Sequence, residues 1–171
     1  MNVFVALLRA VNVGGSGKLP MQDLRKLCED AGFAEVRTWI ASGNVVFRSG
    51  QTAGQVKALL ESALEKYAGK PVGVAIRAAA EMQAVLDSNP FSDLARDRTV
   101  AIFLDAAPAP DALDGVTGLQ GERIELGTRE IYVHYGSGMG MGRSKLRIPA
   151  ARNGTARNIN TVAKLAEMAA G

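Results

Sequence analysis

The sequence predicts an α+β fold of two ferredoxin-like (split β-α-β) subdomains, antiparallel sheets with helices packed on them. Residues 2–77 read in the order β-α-β-β-α-β, which is the split βαβ arrangement. From residue 98 the chain repeats that order as β-α-β-β-α, without its last strand. Right-handed crossovers put both helices of such a unit on one sheet face, so the other face is either covered or a binding platform. The expected organisation is a subdomain at 1–77, a linking helix and loop at 78–97, and a second α+β subdomain at 98–171.

Asn2 to Leu8 is a continuous apolar run and reads as a buried strand. A loop from Arg9 to Leu19 follows, carrying Asn12, Gly14, Gly15, Gly17 and Lys18. Pro20 suits the first position of a helix, where its missing N–H is not needed. That helix runs to about Ala31 on the stripe Leu24, Leu27, Cys28, Ala31, and Gly32 stands where a left-handed residue would end it. Val36 to Ile40 and Val45 to Phe47 are short strands around Ala41-Ser42-Gly43-Asn44, a tight hairpin. A helix from about Thr52 to Tyr67 presents Val56, Leu59, Leu60, Ala63, Leu64 and Tyr67 at helical period, and Val72 to Arg77 closes the unit as a strand.

The linking helix, about Ala78 to Ser88, stops at Asn89-Pro90, because the residue before proline disfavours the α conformation. In the second part Val100 to Leu104 is a strand and Ala106 to Pro110 a stiff loop. A short helix is expected near Asp111 to Val116, then strands Arg123 to Leu126 and Glu130 to Tyr135 around Gly127-Thr128. The last helix is expected from about Ala156 to Ala169.

Composition restricts the function classes. Apolar residues are 47% and charged residues 22%, ordinary for a globular chain. The net charge of +3 and pI near 9.2 lean towards anionic partners without the clustered basic surface of a dedicated DNA-binding protein. One histidine and one cysteine cannot build a multi-His or Cys-rich zinc site, so no metal site is expected. Cys28 falls on an apolar helical stripe and reads as a buried, inert thiol. Strand alternation puts His134 on the face opposite Ile131, Val133 and Tyr135, as a sheet-surface residue. No charged leader precedes the first strand and no apolar run reaches the ~18 residues of a bilayer span, so no membrane association and a cytoplasmic location are expected.

Chemistry concentrates in a few polar segments. Gly136 to Lys145 is glycine-rich and follows a strand, so its N–H groups could form an anion-holding nest with Arg143 or Lys145. It matches neither phosphate-loop pattern. The Walker spacing is absent, and in the dinucleotide fingerprint counted from Gly138 the third glycine is replaced by Arg143. On the last helix Arg157, Asn160, Thr161 and Lys164 recur at i, i+3, i+4, i+7 and line one side, with Thr155 placed as N-cap. Arginine in a first turn opposes the macrodipole unless an anion binds there. The remaining two are Arg9 with Asn12 at the end of the first strand, and Ser42-Gly43-Asn44 at the hairpin. Asn44 is sufficiently explained as a left-handed turn residue.

Five stretches together resemble a bacterial family known as domain of unknown function 1697. They are Leu8-Arg9-Ala10-Val11-Asn12-Val13-Gly14-Gly15, Ser42-Gly43-Asn44-Val45-Val46-Phe47, Asn89-Pro90-Phe91, Gly142-Arg143-Ser144-Lys145-Leu146, and Thr155-Ala156-Arg157-Asn158-Ile159-Asn160-Thr161-Val162. The resemblance implies an α+β fold with ferredoxin-like halves, and it brings no reaction, cofactor or substrate. It implies that the family's polar motif positions fall on Arg9, Asn12, Ser42, Asn44, Ser144, Lys145, Thr155, Arg157, Asn158, Asn160 and Thr161. Pro149 and the short span from Lys145 to Thr155 suggest an irregular connection there instead of a long helix.

The leading functional expectation is binding of a small anionic ligand, phosphate-bearing or nucleotide-like, by these polar groups drawn into one cleft. No nucleophile with an activating base is evident, so catalysis has no support, although a magnesium-assisted step using a carboxylate such as Asp105 stays open. Single-stranded nucleic-acid binding is a second reading. Aromatics at 5% and the strand Asn44-Val45-Val46-Phe47-Arg48 argue against a base-stacking platform. An assembly role through an uncovered sheet face is the third.

Overall fold

The computed structural model describes residues 1–9, 18–40, 42–136 and 144–171. Asn2–Leu8 (β1), Ala34–Trp39 (β2), Asn44–Ser49 (β3) and Val74–Ala78 (β4) form an antiparallel sheet in the order β2-β3-β1-β4. Two helices, Met21–Asp30 (α1) and Ala53–Ala68 (α2), cover one face of it. Alternation in β1 sends Phe4, Ala6 and Leu8 into that core, where they meet Leu24 and Cys28 of α1 and Val56, Leu60 and Leu64 of α2. Each such fully buried large side chain is worth about 1.5–3 kcal/mol relative to exposure. Phe33 stacks on Phe47 with ring centroids 4.3 Å apart.

The helix ends follow the sequence. Gly32 sits at φ 92, Gly32 N–H bonds to Glu29 C=O and Phe33 N–H to Cys28 C=O, which together make a Schellman ending. Pro20 lies one position ahead of α1 as its cap, and its carbonyl accepts from Asp23 and Leu24. At α2, Thr52 and Gln55 exchange side-chain bonds with each other's N–H in a capping box, and Gly69 ends the helix at φ 74. Thr52→Ala is expected to lower stability by about 1 kcal/mol and Thr52→Ser to recover most of it. Urea midpoints of the two variants check this.

A third helix, Ala79–Asp87 (α3), leads to the second sheet. Its strands are Thr99–Phe103 (β5), Arg123–Leu126 (β6), Glu130–His134 (β7) and Thr155–Asn158 (β8), in the order β6-β7-β5-β8. Strand for strand this is the neighbour order of the first sheet, so the repetition includes the last strand, contrary to expectation. The final helix, Ile159–Ala170 (α4), begins three residues later than expected because 155–158 pair with β5 instead. Gly154 permits this approach: a Cβ there would lie 2.6 Å from Ile102 Cγ2. The short helix expected near 111–116 is a run of turns, with i→i−3 bonds such as Asp114 N–H to Asp111 C=O. Pro108 and Pro110 precede it, and it has no apolar stripe to hold against a sheet.

One face of the second sheet packs Val100, Ile131 and Val133 against Leu146, Ile148 and Ala151, so an irregular segment takes the place of crossover helices. The connection around Pro149 is a single 3-10 turn, Pro149–Ala151, in keeping with the irregular link expected. On the other face Ala101, Phe103, Tyr132 and His134 are buried. Tyr132 Oη donates to Val85 C=O of α3 at 2.7 Å.

The chain divides into two compact units, Met1–Gln83 with Lys164–Gly171, and Ala84–Ala163. Both α3 and α4 contribute residues to each unit. No helix of the described residues is long and apolar enough to cross a membrane.

Candidate functional site

The second unit holds the junction where β8 becomes α4. Pairing of Phe103 with Thr155 and of Ala101 with Arg157 gives these residues a common sheet face, so Thr155 and Arg157 project to the side of Tyr132 and His134. Both are at least nine-tenths buried. Arg157 Nη1 donates to Ala156 C=O at 2.9 Å. Burial lowers its pKa to about 10, so the guanidinium still carries its charge at neutral pH. The helix cap is Asn158, whose Oδ1 accepts from Thr161 N–H at 2.9 Å. Thr155 is therefore a strand residue and not the N-cap. Arg157 is likewise outside the first helical turn, so the macrodipole argument does not reach it and the four-residue polar stripe loses its first member. Asn160 is exposed and Thr161 is buried.

A 3-10 turn at Arg96–Arg98 lies against both β5 and β8. Arg98 Nε donates to Gly136 C=O, and its own carbonyl accepts from Tyr135 N–H at 2.9 Å. Because Val100 pairs with Asn158, Arg98 stands at the sheet end where α4 starts. The sequence did not single out Arg98. Its proximity to α4 depends on β5 and β8 being neighbours, which no local pattern reveals.

Ser144 and Lys145 occupy different ground. Ser144 Oγ donates to the Glu122 carboxylate and accepts from Leu146 N–H at 3.2 Å. That hydroxyl holds the Glu122 carboxyl below its usual range. Paired bonds between Thr117 and Arg147 pin the segment, at 3.0 and 2.9 Å. Leu146 and Ile148 then pack on the Val100 face of the sheet, opposite to the face of Thr155 and Arg157. The second-unit candidates are thus divided by the sheet: Thr155 and Arg157 on one face, the Ser144-Lys145-Leu146 segment over the other.

In the first unit Arg9 is exposed just beyond β1, with its N–H bonded to Gly73 C=O at 2.9 Å. Ser42 and Asn44 belong to the hairpin. Asn44 is fully buried, and its Nδ2 donates to Trp39 C=O at 2.9 Å and Ser42 Oγ at 3.0 Å. It is not the left-handed residue: Ile40 at φ 51 and Gly43 at φ 90 take that conformation, and Asn44 ties the turn from within β3. Asn12, together with the glycine loop bearing Met139, Met141 and Arg143, lies outside the described residues.

Arg77 of β4 was also missed by sequence reasoning. It is 1% exposed, pairs with Val5 as Arg157 pairs with Ala101, and donates Nη1 to the preceding carbonyl of Ile76 at 2.9 Å. An arginine buried one residue before a strand's end is therefore a feature of both units.

The remaining chemistry is restricted. Burial, then the nearby Glu29 charge, push the Cys28 thiol up to about 12, which makes it unreactive. His134 faces as expected but is buried, not on the surface. Its Nδ1 lies 2.8 Å from Thr99 Oγ1, and the Phe91 ring is 6.0 Å away. Thr99 donates its hydroxyl proton to Ala95 C=O at 2.9 Å, so the imidazole must donate from Nδ1. No group of three His, Cys, Asp or Glu able to hold a metal occurs among the described residues. The central strands are buried on both faces, as Val5, Leu7 and Val46 show in the first sheet and Ala101 and Tyr132 in the second, so among the described residues they offer no open platform for stacked bases.

The described surface includes two clefts of similar size. One, about 460 Å³, lies between α1 and α2 and is lined by Leu27, Leu59, Ala63 and Tyr67 among others. The other, about 440 Å³, lies beyond β5 by Asp105, Pro108, Pro149, Arg152 and Asn153. Neither contains a residue of the expected ligand-binding set, although Asp105, the carboxylate named for a magnesium-assisted step, lines the second.

Residues 1–132 match the family described as "Protein of unknown function (DUF1697)". The stretches at 142–146 and 155–162 lie beyond the matched residues. A solved structure of a conserved bacterial protein from Streptococcus pneumoniae is similar with a TM-score of 0.81 and 23% identity, covering 98% of each chain. At that identity the likeness establishes the fold alone. No curated protein matches the chain.

Proposed function

Since the chain belongs to the DUF1697 family of proteins of unknown function, membership assigns no reaction, and we propose from local geometry that it binds a small anionic ligand, phosphate-bearing or nucleotide-like, where β8 enters α4. The observation that carries this reading is the meeting of two positive features at one sheet end. A helix start leaves up to four backbone N–H groups without intrahelical partners, and the Asn158 cap side chain takes that of Thr161. Arg157 precedes that start by two residues and Arg98 flanks it through the 3-10 turn. Asn160, exposed in the first turn, supplies a polar group at the surface. Arg98, Arg157, Asn158, Asn160 and Thr161 are the proposed contacts. Thr155 supports them from within β8, and Ser144 shapes its own segment through Glu122.

The reaction class that fits is binding without covalent chemistry. The Ser144 hydroxyl donates to Glu122, the Ser42 hydroxyl accepts from Asn44, and the one histidine, His134, is hydrogen-bonded to Thr99.

Asn160→Asp separates ligand binding from folding. A carboxylate in a first helical turn favours the helix through the macrodipole, so the melting temperature is expected to hold or rise. The same charge opposes an anion, so the shift produced by inorganic phosphate or nucleoside phosphates is expected to need about tenfold more ligand. Equal ligand-induced shifts in wild type and Asn160→Asp, or no shift with any of these compounds, would overturn the reading.

A further inference from the structure

The edges of the two sheets are β2 and β4 in the first and β6 and β8 in the second. An unpaired edge invites another strand, and proteins usually blunt it. Two of the four are blunted along the strand, and a third runs directly into a helix. β2 breaks register between Ala34 and Arg37, with Glu35 at φ 50. At the start of β4, Val74 C=O accepts from Lys57 Nζ and its N–H donates to Glu61. β8 is a four-residue strand that runs directly into α4, with the Arg96–Arg98 turn at that end. Among the described residues β6 is guarded only by its shortness and by two exposed charged residues, Glu125 and Arg123, the latter 5.2 Å from the Phe91 ring.

The ladder fixes which backbone groups of β6 face outward. Gly127 N–H donates to Glu130 C=O at 2.7 Å, which marks 127 and 130 as a hydrogen-bonded pair. Such pairs alternate, so Glu125 and Arg123 turn their backbone groups to β7, while Ile124 and Leu126 turn theirs away from it. We propose that β6 is a self-pairing edge, through which two copies of the chain join their second sheets antiparallel about a twofold axis at Ile124.

Charge complementarity selects this occupant and this register. With the axis at Ile124, the two Ile124 residues exchange N–H and C=O. Arg123 of each copy then stands opposite Glu125 of the other, at non-hydrogen-bonded positions where side chains approach most closely. A register centred on Glu125 would oppose two carboxylates. Ile124 and Leu126 flank the apolar core on the other face, so pairing also extends an apolar surface. Four residues make a short edge, which suits a reversible dimer and not an obligate one.

Sedimentation equilibrium of the full chain from micromolar to millimolar concentration tests the proposal. A reversible monomer–dimer equilibrium is expected, and Arg123→Glu or Glu125→Arg alone should weaken it by about tenfold or more, since two attractive pairs become repulsive. The double variant Arg123→Glu with Glu125→Arg restores complementarity and should regain the wild-type constant. Ile124→Pro removes an outward N–H together with the Ile124 packing at the margin of the core, and should abolish the dimer with the circular dichroism spectrum unchanged. If that variant misfolds, the charge-swap cycle decides alone. A wild type that stays monomeric throughout, single reversals without effect, or a double variant that fails to recover would each overturn the proposal.

Discussion

Gly118→Ala is expected to be among the most damaging single-methyl changes in this chain, lowering stability by about 3 kcal/mol or more. Gly118 sits at φ 74, where an L side chain is strained, and a Cβ there would overlap the carbonyl oxygen of Lys145. That contact is backbone, so no rotamer change relieves it. The pair of bonds between Thr117 and Arg147 is the first structure to give way. With it goes the support under Leu146 and Ile148, which cover the Val100 face of the second sheet. Denaturant unfolding should register the loss. Hydrogen exchange should register it at the Thr117 and Arg147 amides before the β1 amides. Wild-type protection at those two amides would contradict this account of the loop.

Asn44→Asp is the second large effect, with an expected cost of about 3–4 kcal/mol at neutral pH. The Asn44 amide donates to the Trp39 carbonyl from a fully buried position. An ionised carboxylate of the same shape cannot donate, would face that carbonyl oxygen, and would be buried without its hydration. Protonation relieves the conflict, since burial beside an acceptor raises the folded-state pKa above the unfolded value. For this introduced group the destabilisation is therefore present above its folded pKa and shrinks as pH falls below it. Stability of the variant relative to wild type, followed from pH 7 downwards, should converge. A constant difference across that range would rule out the charge as the cause.

Much of the first unit was legible because its signals are local. The alternation of β1, the stripe of α2, and the cap residues Thr52, Gly32 and Gly69 act within a few residues of themselves, and the observed elements match the expected ones closely. The last strand was not legible for the opposite reason. Thr155 to Asn158 fits a helical continuation of Ile159 to Ala170 as well as a strand, and the choice is made by β5, more than fifty residues earlier in the chain. That one reassignment moved the cap from Thr155 to Asn158 and turned Arg157 from a helix-face residue into a buried strand residue.

The candidate site was legible in residue type but not in grouping. Ser144-Lys145 and Thr155-Arg157 are close in sequence, yet the second sheet lies between the faces they serve. Asn44 and Ser42 proved to be a turn clasp. Arg98 and Arg77 went unnoticed because single arginines carry no periodic signal, and their positions follow from strand order. The repetition of the two units, faint in residue identity, is visible in register: Val5 with Arg77 in one, Ala101 with Arg157 in the other.

The central claim is that the start of α4 and its flanking arginines receive an anion. Amide chemical shifts of the labelled chain, followed during titration with inorganic phosphate and then a nucleoside monophosphate, test it most directly. Saturable shifts centred on Asn158 to Thr161 and on Arg98, absent from a chloride titration at equal ionic strength, are the predicted result. Shifts that do not saturate, or that centre on Ser144 to Arg147 while the α4 start stays still, would contradict it.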